Sequence, residues 1–368
     1  GRVRKSRRAK GGRGFATRAA HRMARNTKPV RRGRAPAWVS DKRRIVEIVG
    51  VGALLWLSAC QGEASTLDPR GIGAARIERL WWLVLSIATV FFIVVVALLV
   101  VAVLRSRRRD VEINRDVRWG VPFIVVSGVI VPAIVLIAVF ALSLRDSQEL
   151  SDTGARATLE VEVRSHDWWW EIRYPNGAVT ANEIHIPVGE PVRLRLLSAD
   201  VVHSFWVPRL QGKTDHITGR TTHSWLQADE PGRYRGQCAE FCGLQHANMR
   251  FYVVAEPRAQ FEAWMEDAAT SAGAAEGTAA AGEEVFLSST CIGCHAIRGT
   301  PADSQVGPDL THLADRRSLL AGTVPNTAEY LEKVITDPQS IKPGVPMPPT
   351  QLPAEDLQAL VDYLQQLD

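Results

Sequence analysis

The stretch Cys238-Ala-Glu-Phe-Cys242-Gly-Leu-Gln-His246-Ala-Asn-Met249 gathers two thiols, an imidazole and a thioether within twelve residues. A further imidazole, His203 in Asp200-Val-Val-His203, lies 35 residues upstream. These are soft donors, which favour copper, zinc or iron–sulfur over magnesium or calcium. Zinc is satisfied by two Cys and two His and gains nothing from a thioether. A weak axial Met is instead a habit of copper. A structural zinc, or a disulfide between Cys238 and Cys242, is the alternative. The spacing would also fit one helix face, but Gly243 and the crowding of donors suit a loop between strands better.

A second redox motif is Cys291-Ile-Gly-Cys294-His295. Cys-x-x-Cys-His is a c-type haem attachment sequence: the thiols bond to the porphyrin and the His is the proximal iron ligand. Met347, in Val-Pro-Met-Pro-Pro, is the one Met after Met265 and therefore the one thioether on offer as distal ligand. Met/His ligation raises the potential of the haem. A redox-active or zinc-binding Cys291/Cys294 pair is the alternative, although zinc would find too few further ligands nearby.

Taken together, Cys-x3-Cys-x3-His-x2-Met and the upstream Asp-x-x-His resemble the CuA signature of subunit II of the haem–copper cytochrome c oxidases. The resemblance implies a binuclear copper centre bridged by Cys238 and Cys242. His203 and Met249 would complete one copper, His246 and the Glu240 carbonyl oxygen the other. Sharing one electron over two metals keeps geometry change on redox cycling small. In His166-Asp-Trp168-Trp-Trp, Trp168 matches the family Trp that lies exposed above the copper and receives electrons. Packing inward is the alternative for at least one of these three Trp. The usual aromatic–Tyr–Trp pattern is altered by Trp169. The resemblance also suggests that Glu240 reaches a magnesium shared with subunit I; an ordinary solvated carboxylate is the alternative. His185, His216, His223 and His312 are expected on the surface or in polar networks.

These donors need elements to hold them. Residues 158–164, 168–174, 191–197, 221–226, 233–237 and 250–255 are rich in branched and aromatic residues and are separated by turn signals such as Pro175-Asn-Gly and Pro231-Gly. Short strands with frequent turns predict a β-sandwich, which the resemblance makes a cupredoxin-like Greek key over 145–267. After it, 268–282 is an Ala/Gly-rich linker, which as a coil would keep a haem domain at high effective concentration. Residues 283–368 are expected to form a small all-α cytochrome c domain. Its first helix begins at Gly282-Glu-Glu-Val-Phe, and Leu357, Leu360, Val361, Leu364 and Leu367 mark a last helix packed against it. That segment holds twelve acids and five bases, a charge that should steer a basic donor.

Ahead of the sandwich, residues 80–104 and 119–144 are apolar runs of 25 and 26 residues, each longer than the ~20 needed to span a bilayer. Each opens on Trp, as interfacial belts do. Pro122 and Pro132 are expected to kink the second span. The loop 105–118 carries six Arg against three acids, which places it in the cytoplasm and puts the 60–79 segment and both metal motifs outside. The first 44 residues hold seventeen Lys/Arg against Asp41 alone, too polar to fold by themselves. No aromatic or groove-reading motif accompanies that charge, so nucleic acid is not expected as a partner. Lys42-Arg-Arg, the apolar run 45–57 and Leu57-Ser-Ala-Cys60 resemble a bacterial lipoprotein leader over 1–59, with Cys60 acylated. An uncleaved membrane segment is the alternative, and Glu47 is awkward within the apolar run.

The whole is expected to be a multidomain protein of the bacterial cell membrane: a two-helix transmembrane hairpin, a copper sandwich and a haem domain. It reads as subunit II of a caa3-type oxidase, with subunits I (haem a, haem a3–CuB) and III as partners and a cytochrome c or bc complex as donor. Oxygen chemistry and proton pumping would belong to subunit I, and no residue here is expected to act as nucleophile or general acid/base. The rivals are the input subunit of a CuA-type nitric oxide reductase and a tethered electron shuttle or copper-delivery protein. A quinol oxidase subunit II is disfavoured because it lacks the copper donors.

Overall fold

The computed structural model describes residues 62–106 and 120–368. The basic head, the leader with Cys60 and the loop residues 107–119 lie outside the described residues.

Two long helices lead. Helix α1 is Ile72–Ser106 and α2 is Gly120–Ala155. Their middle portions are apolar all round and expose Phe92, Leu99, Leu136, Ile137 and Phe140. That pattern belongs to a helix solvated by lipid, since a helix packed on a soluble core buries one stripe. Both run beyond the expected spans by polar turns. There Arg76 of α1 forms ion pairs with Asp146 and Glu149 of α2, clasping the hairpin at one end. Within α2, Val126–Ile130 forms a π turn in which the Val131 N–H reaches back to the Val126 oxygen. Pro132 next to it has no N–H to donate, so the expected distortion takes this form.

Both helices are rooted in the domain that follows. The Ala74 N–H donates to the Leu210 carbonyl (3.0 Å) and the Arg70 N–H to that of Arg209 (2.7 Å). At the far end of α2, Arg193 donates to the Gly154 carbonyl.

Ten strands build a sandwich: β1 Leu159–His166, β2 Trp169–Arg173, β3 Val179–Ala181, β4 Glu183–Pro187, β5 Val192–Ser198, β6 His203–Trp206, β7 Thr214–His216, β8 Thr222–Leu226, β9 Gly232–Cys238 and β10 Arg250–Glu256. One sheet runs β3-β2-β1-β5-β8, the other β4-β10-β9-β6-β7. The β1–β5 and β4–β10 pairs are parallel, the rest antiparallel. In β1, β5 and β10 every second residue is buried, the period-two pattern of a strand with one face inward. Val163, Trp170, Leu194, Phe205, Phe251 and Val253 meet in the core. Four of these strands were not expected from the sequence: β3, β4, β6 and β7. They are short, and β4 is buried at four of its five positions, so it shows no alternation.

Helix α3, Arg258–Asp267, closes the sandwich. Helix α4, Thr278–Ser288, starts earlier than expected. Five residues of the stretch 268–282, read above as linker, are therefore helical. The reason is packing: Gly282 is buried against the last helix, α6 (Ala354–Leu364), with α5 (Ala328–Thr336) beside it. A Cβ on Gly282 would sit 2.0 Å from the Ala359 carbonyl oxygen. Phe286 and Tyr363 add a ring contact at 6.2 Å.

Replacing Gly282 by Val should therefore destabilise the haem-motif domain by about 1–3 kcal/mol, the usual cost of overpacking. Denaturant unfolding followed by far-ultraviolet circular dichroism checks this; an unchanged midpoint would mean that the two helices do not meet here.

Candidate metal centres

His203 opens β6 and Cys238 ends β9, and these strands are hydrogen-bonded neighbours, with Phe205 opposite Cys238. The remaining donors lie on the β9–β10 loop. Its base is closed by the Cys238 N–H donating to the Met249 carbonyl (3.0 Å), and the Ala239 N–H donates across to Ser204 (2.9 Å). Gly243 turns the loop at φ +110°, and a Cβ there would press on the Trp168 ring at 3.2 Å. Glycine meets both demands.

The loop brings the expected donors together. The Cys238 and Cys242 sulfurs are 3.8 Å apart and unbonded. His203 Nδ1 is 4.0 Å from the Cys238 sulfur, and His246 Nδ1 is 3.6 Å from that of Cys242. Met249 Sδ stands 3.8 Å from the Cys242 sulfur, and the Glu240 carbonyl oxygen 3.1 Å from that of Cys238. His203 and Met249 are fully buried, and His246 half-buried. Two sulfurs flanked by two imidazole nitrogens, a thioether and a peptide oxygen form a soft set that fits a pair of coppers. Among the described residues, no group of three or more potential metal ligands includes the Glu240 carboxylate.

Electrostatics favour metal uptake. Contact with Cys242, helped by His203, holds the Cys238 thiol well below its ordinary range, while sharing that proton and burial push Cys242 up. One proton thus serves two sulfurs, and a soft cation displaces it. Asp200 accepts from His203 Nε2 at 2.7 Å. Burial opposes charge on His203, but Asp200 and the Cys238 sulfur raise its pKa to about 9 in the metal-free chain. The same bond keeps Nε2 occupied and turns Nδ1 toward the sulfurs. Asp200 Oδ2 also accepts from the Asp167 N–H (2.6 Å), which ties the Trp168 turn to the segment that carries His203. Asp200 is the acid of the Asp-x-x-His pattern, and its spacing of three from His203 is the sequence signal for this bond.

Trp168 is half-buried, although the family likeness had it exposed. Its Nε1–H donates to the Cys242 carbonyl at 2.8 Å. Part of its cover comes from the other domain, where the Gly344 backbone approaches the ring. Lys342, from that same loop, is 1% exposed. Burial and the nearby Arg250 lower its pKa, while three carbonyl oxygens at 2.9 Å favour the charged form.

In the haem-motif domain, Cys291 and Cys294 are unpaired and half-buried. His295 Nδ1 donates to the Pro308 carbonyl at 2.8 Å, leaving Nε2 for a metal. Burial keeps its imidazole neutral, the form that ligates. Met347 packs at the margin of the same core as Cys291, and Gln339 braces its loop by donating to the Val345 and Met347 carbonyls. An imidazole with one free nitrogen and two unpaired thiols in Cys-x-x-Cys-His fit a covalently held haem. Of the other histidines, His185 bonds Glu256 and buried His216 bonds the Leu197 carbonyl, whereas neither ring nitrogen of His312 has a hydrogen-bond partner among the described residues.

The model of the cytochrome c oxidase subunit II periplasmic domain matches residues 178–256, and that of cytochrome c matches residues 279–368. Cytochrome c oxidase subunit 2 of Alkalihalophilus pseudofirmus is 37% identical over 325 residues, covering 85% of this chain and 94% of that protein. The chain belongs to the cytochrome c oxidase subunit II family. The Bacillus sp. PS3 cytochrome c oxidase subunit 2 is 34% identical, covering 88% of this chain and 97% of that protein. The solved periplasmic domain of cytochrome oxidase subunit II from Bradyrhizobium japonicum is 29% identical over 31% of this chain and 94% of that one, with a TM-score of 0.30. As a family member carrying a cytochrome c domain, the chain is a membrane-anchored component of an oxidoreductase complex. Its subunit II domain implies CuA copper, its cytochrome c domain implies haem c, and its partner is oxidase subunit I.

Asp200→Asn should lower copper affinity about 10–100-fold, the usual effect of losing the group that orients a ligating His. Competition against a copper chelator measures it. Affinity equal to wild type would show that Asp200 does not orient His203.

Proposed function

We propose that the chain is the electron-input subunit of a caa3-type cytochrome c oxidase of the bacterial cell membrane. It would take electrons from a cytochrome c or bc complex donor and deliver them to haem a of subunit I, for oxygen reduction coupled to proton pumping. The observation that carries this reading is the convergence of His203, Cys238, Cys242, His246, Met249 and the Glu240 carbonyl on one loop-and-strand corner.

Bound at their sites, the copper pair and haem c supply one-electron redox chemistry. The chain's own residues do the rest. Cys238, Cys242, His203, His246, Met249 and the Glu240 carbonyl oxygen would hold the copper pair. Cys291 and Cys294 would hold the porphyrin, and His295 and Met347 would hold its iron. Burial of His203, Cys238, Cys242 and Met249 would keep water from the coppers and limit rearrangement when the charge changes by one. Trp168, bonded to the Cys242 carbonyl, would be the point where electrons enter the copper domain. Subunit III is a further expected neighbour, and a magnesium at Glu240 would draw its other ligands from subunit I. A lipid on Cys60 would add a second hold on the membrane.

Met249→Leu should alter the copper EPR and visible spectra while copper stays bound and the sandwich keeps its circular dichroism, because only a weak ligand is lost. A wild-type spectrum would remove Met249 from the ligand set. The purified complex should consume oxygen with reduced cytochrome c, at a rate that falls as ionic strength rises. Nitric oxide turnover without oxygen uptake would instead identify a nitric oxide reductase.

A further inference from the structure

Lys342 lies in the haem domain, five residues before Met347, yet its ammonium sits in the copper domain. It is 1% exposed, and its Nζ donates to three carbonyl oxygens, those of Trp168, Asn248 and Leu320, each at 2.9 Å. An ammonium has three N–H donors, and the site offers three acceptors. Two belong to the copper domain: Trp168 itself, and Asn248, which adjoins Met249. The third belongs to the haem domain. A buried cation is costly unless fully paired, so this side chain rewards only the docked arrangement of the two domains.

Neighbouring contacts share the same seam. Gln245, on the metal loop, donates to the Pro343 carbonyl at 2.6 Å. A Cβ on Gly344 would stand 3.8 Å from the Trp168 ring and 2.8 Å from Leu244. Gln339 then binds the Gly344 N–H and the Met347 carbonyl together. A continuous run of contacts therefore joins the Met347 loop to Trp168, and Trp168 to the Cys242 carbonyl.

We propose that Lys342 is a positioning residue that clamps the Met347 loop over Trp168, so that the chain's own haem domain, and not a free donor, occupies the face through which the copper domain is reduced. The proposal deepens the functional reading above and rests on it. The step it serves moves one electron from reduced haem to the oxidised copper pair; no bond is made or broken and no proton is needed. Lys342 bonds none of the metal donors, and acts through the backbone of Trp168 and Asn248.

The experiment uses the full-length oxidase complex in lipid nanodiscs. Amine-reactive footprinting read by mass spectrometry should label Lys342 at least about tenfold more slowly than Lys213 and Lys333, because labelling needs local opening. Equal rates would overturn the proposal without any variant. In Lys342→Met, hydrogen exchange at residues 244–249 and 339–347 should accelerate. Light-triggered transfer from haem to copper should slow roughly tenfold or more, since small misplacements are costly in rate. It should also become dependent on solvent viscosity, as redocking comes to limit it. Optical and EPR spectra of both centres should stay unchanged, which a merely structural lesion would not allow. Unchanged exchange and an unchanged transfer rate would overturn the proposal. If the variant does not assemble, the wild-type footprint decides. Lack of the copper or haem spectrum in the wild type would sink the functional reading and leave the footprint standing as a separate result.

Discussion

Two cysteine sulfurs held 3.8 Å apart without bonding to one another set the terms for the rest of this molecule. Left free, thiols so close in an oxidising compartment tend to form a disulfide. Here a loop tied at its base by strand pairing, with an imidazole on either side, keeps them as a ligand pair. The sandwich serves this spacing. One of its sheets holds β6 and β9 as neighbours, so that His203 and Cys238 arrive from different parts of the chain at one corner. The Trp170 ring, packed against His203, Phe205, His216 and Phe251, fills the space beneath that corner.

The haem domain is joined to this corner by polar contacts along much of its length. Arg298 donates to the Gly177 and Ala269 carbonyls, Arg173 to Gln305, and the Arg250 N–H to the Ala321 carbonyl. Most of these bonds use backbone acceptors, which depend on shape more than on side-chain identity. Transient partners commonly meet through polar surfaces; here a covalent tether makes such a surface sufficient, because the local concentration is already high.

The chemistry was legible in the sequence because its donors are local. Cys238, Cys242, His246 and Met249 lie on one loop, and Cys291, Cys294 and His295 on one turn, so spacing alone shows them. The two long apolar helices were equally plain, since lipid imposes its signature on composition. What depends on tertiary packing was hidden. Lys342 in a Pro-Gly loop reads as a solvated lysine, and only docking of the second domain buries it. The first turn of α4 reads as low-complexity linker, and only the seat of Gly282 on α6 makes it helical. Strands β4 and β7 lack alternation because β4 is buried on both faces and β7 is made of polar residues. Trp168 shows its type in the sequence but not its cover, which is supplied by Lys342 and Gly344, the former 174 residues away.

The two membrane helices are longer than the bilayer requires. At 1.5 Å per residue, the 35 residues of α1 extend roughly 50 Å, against ~30 Å of hydrocarbon. The surplus, braced by the ion pairs of Arg76 and rooted at Leu210 and Arg193, forms a rigid pedestal. It fixes the altitude of the metal loop above the lipid headgroups and prevents it from swivelling, so a neighbouring subunit meets that loop at a constant height and heading.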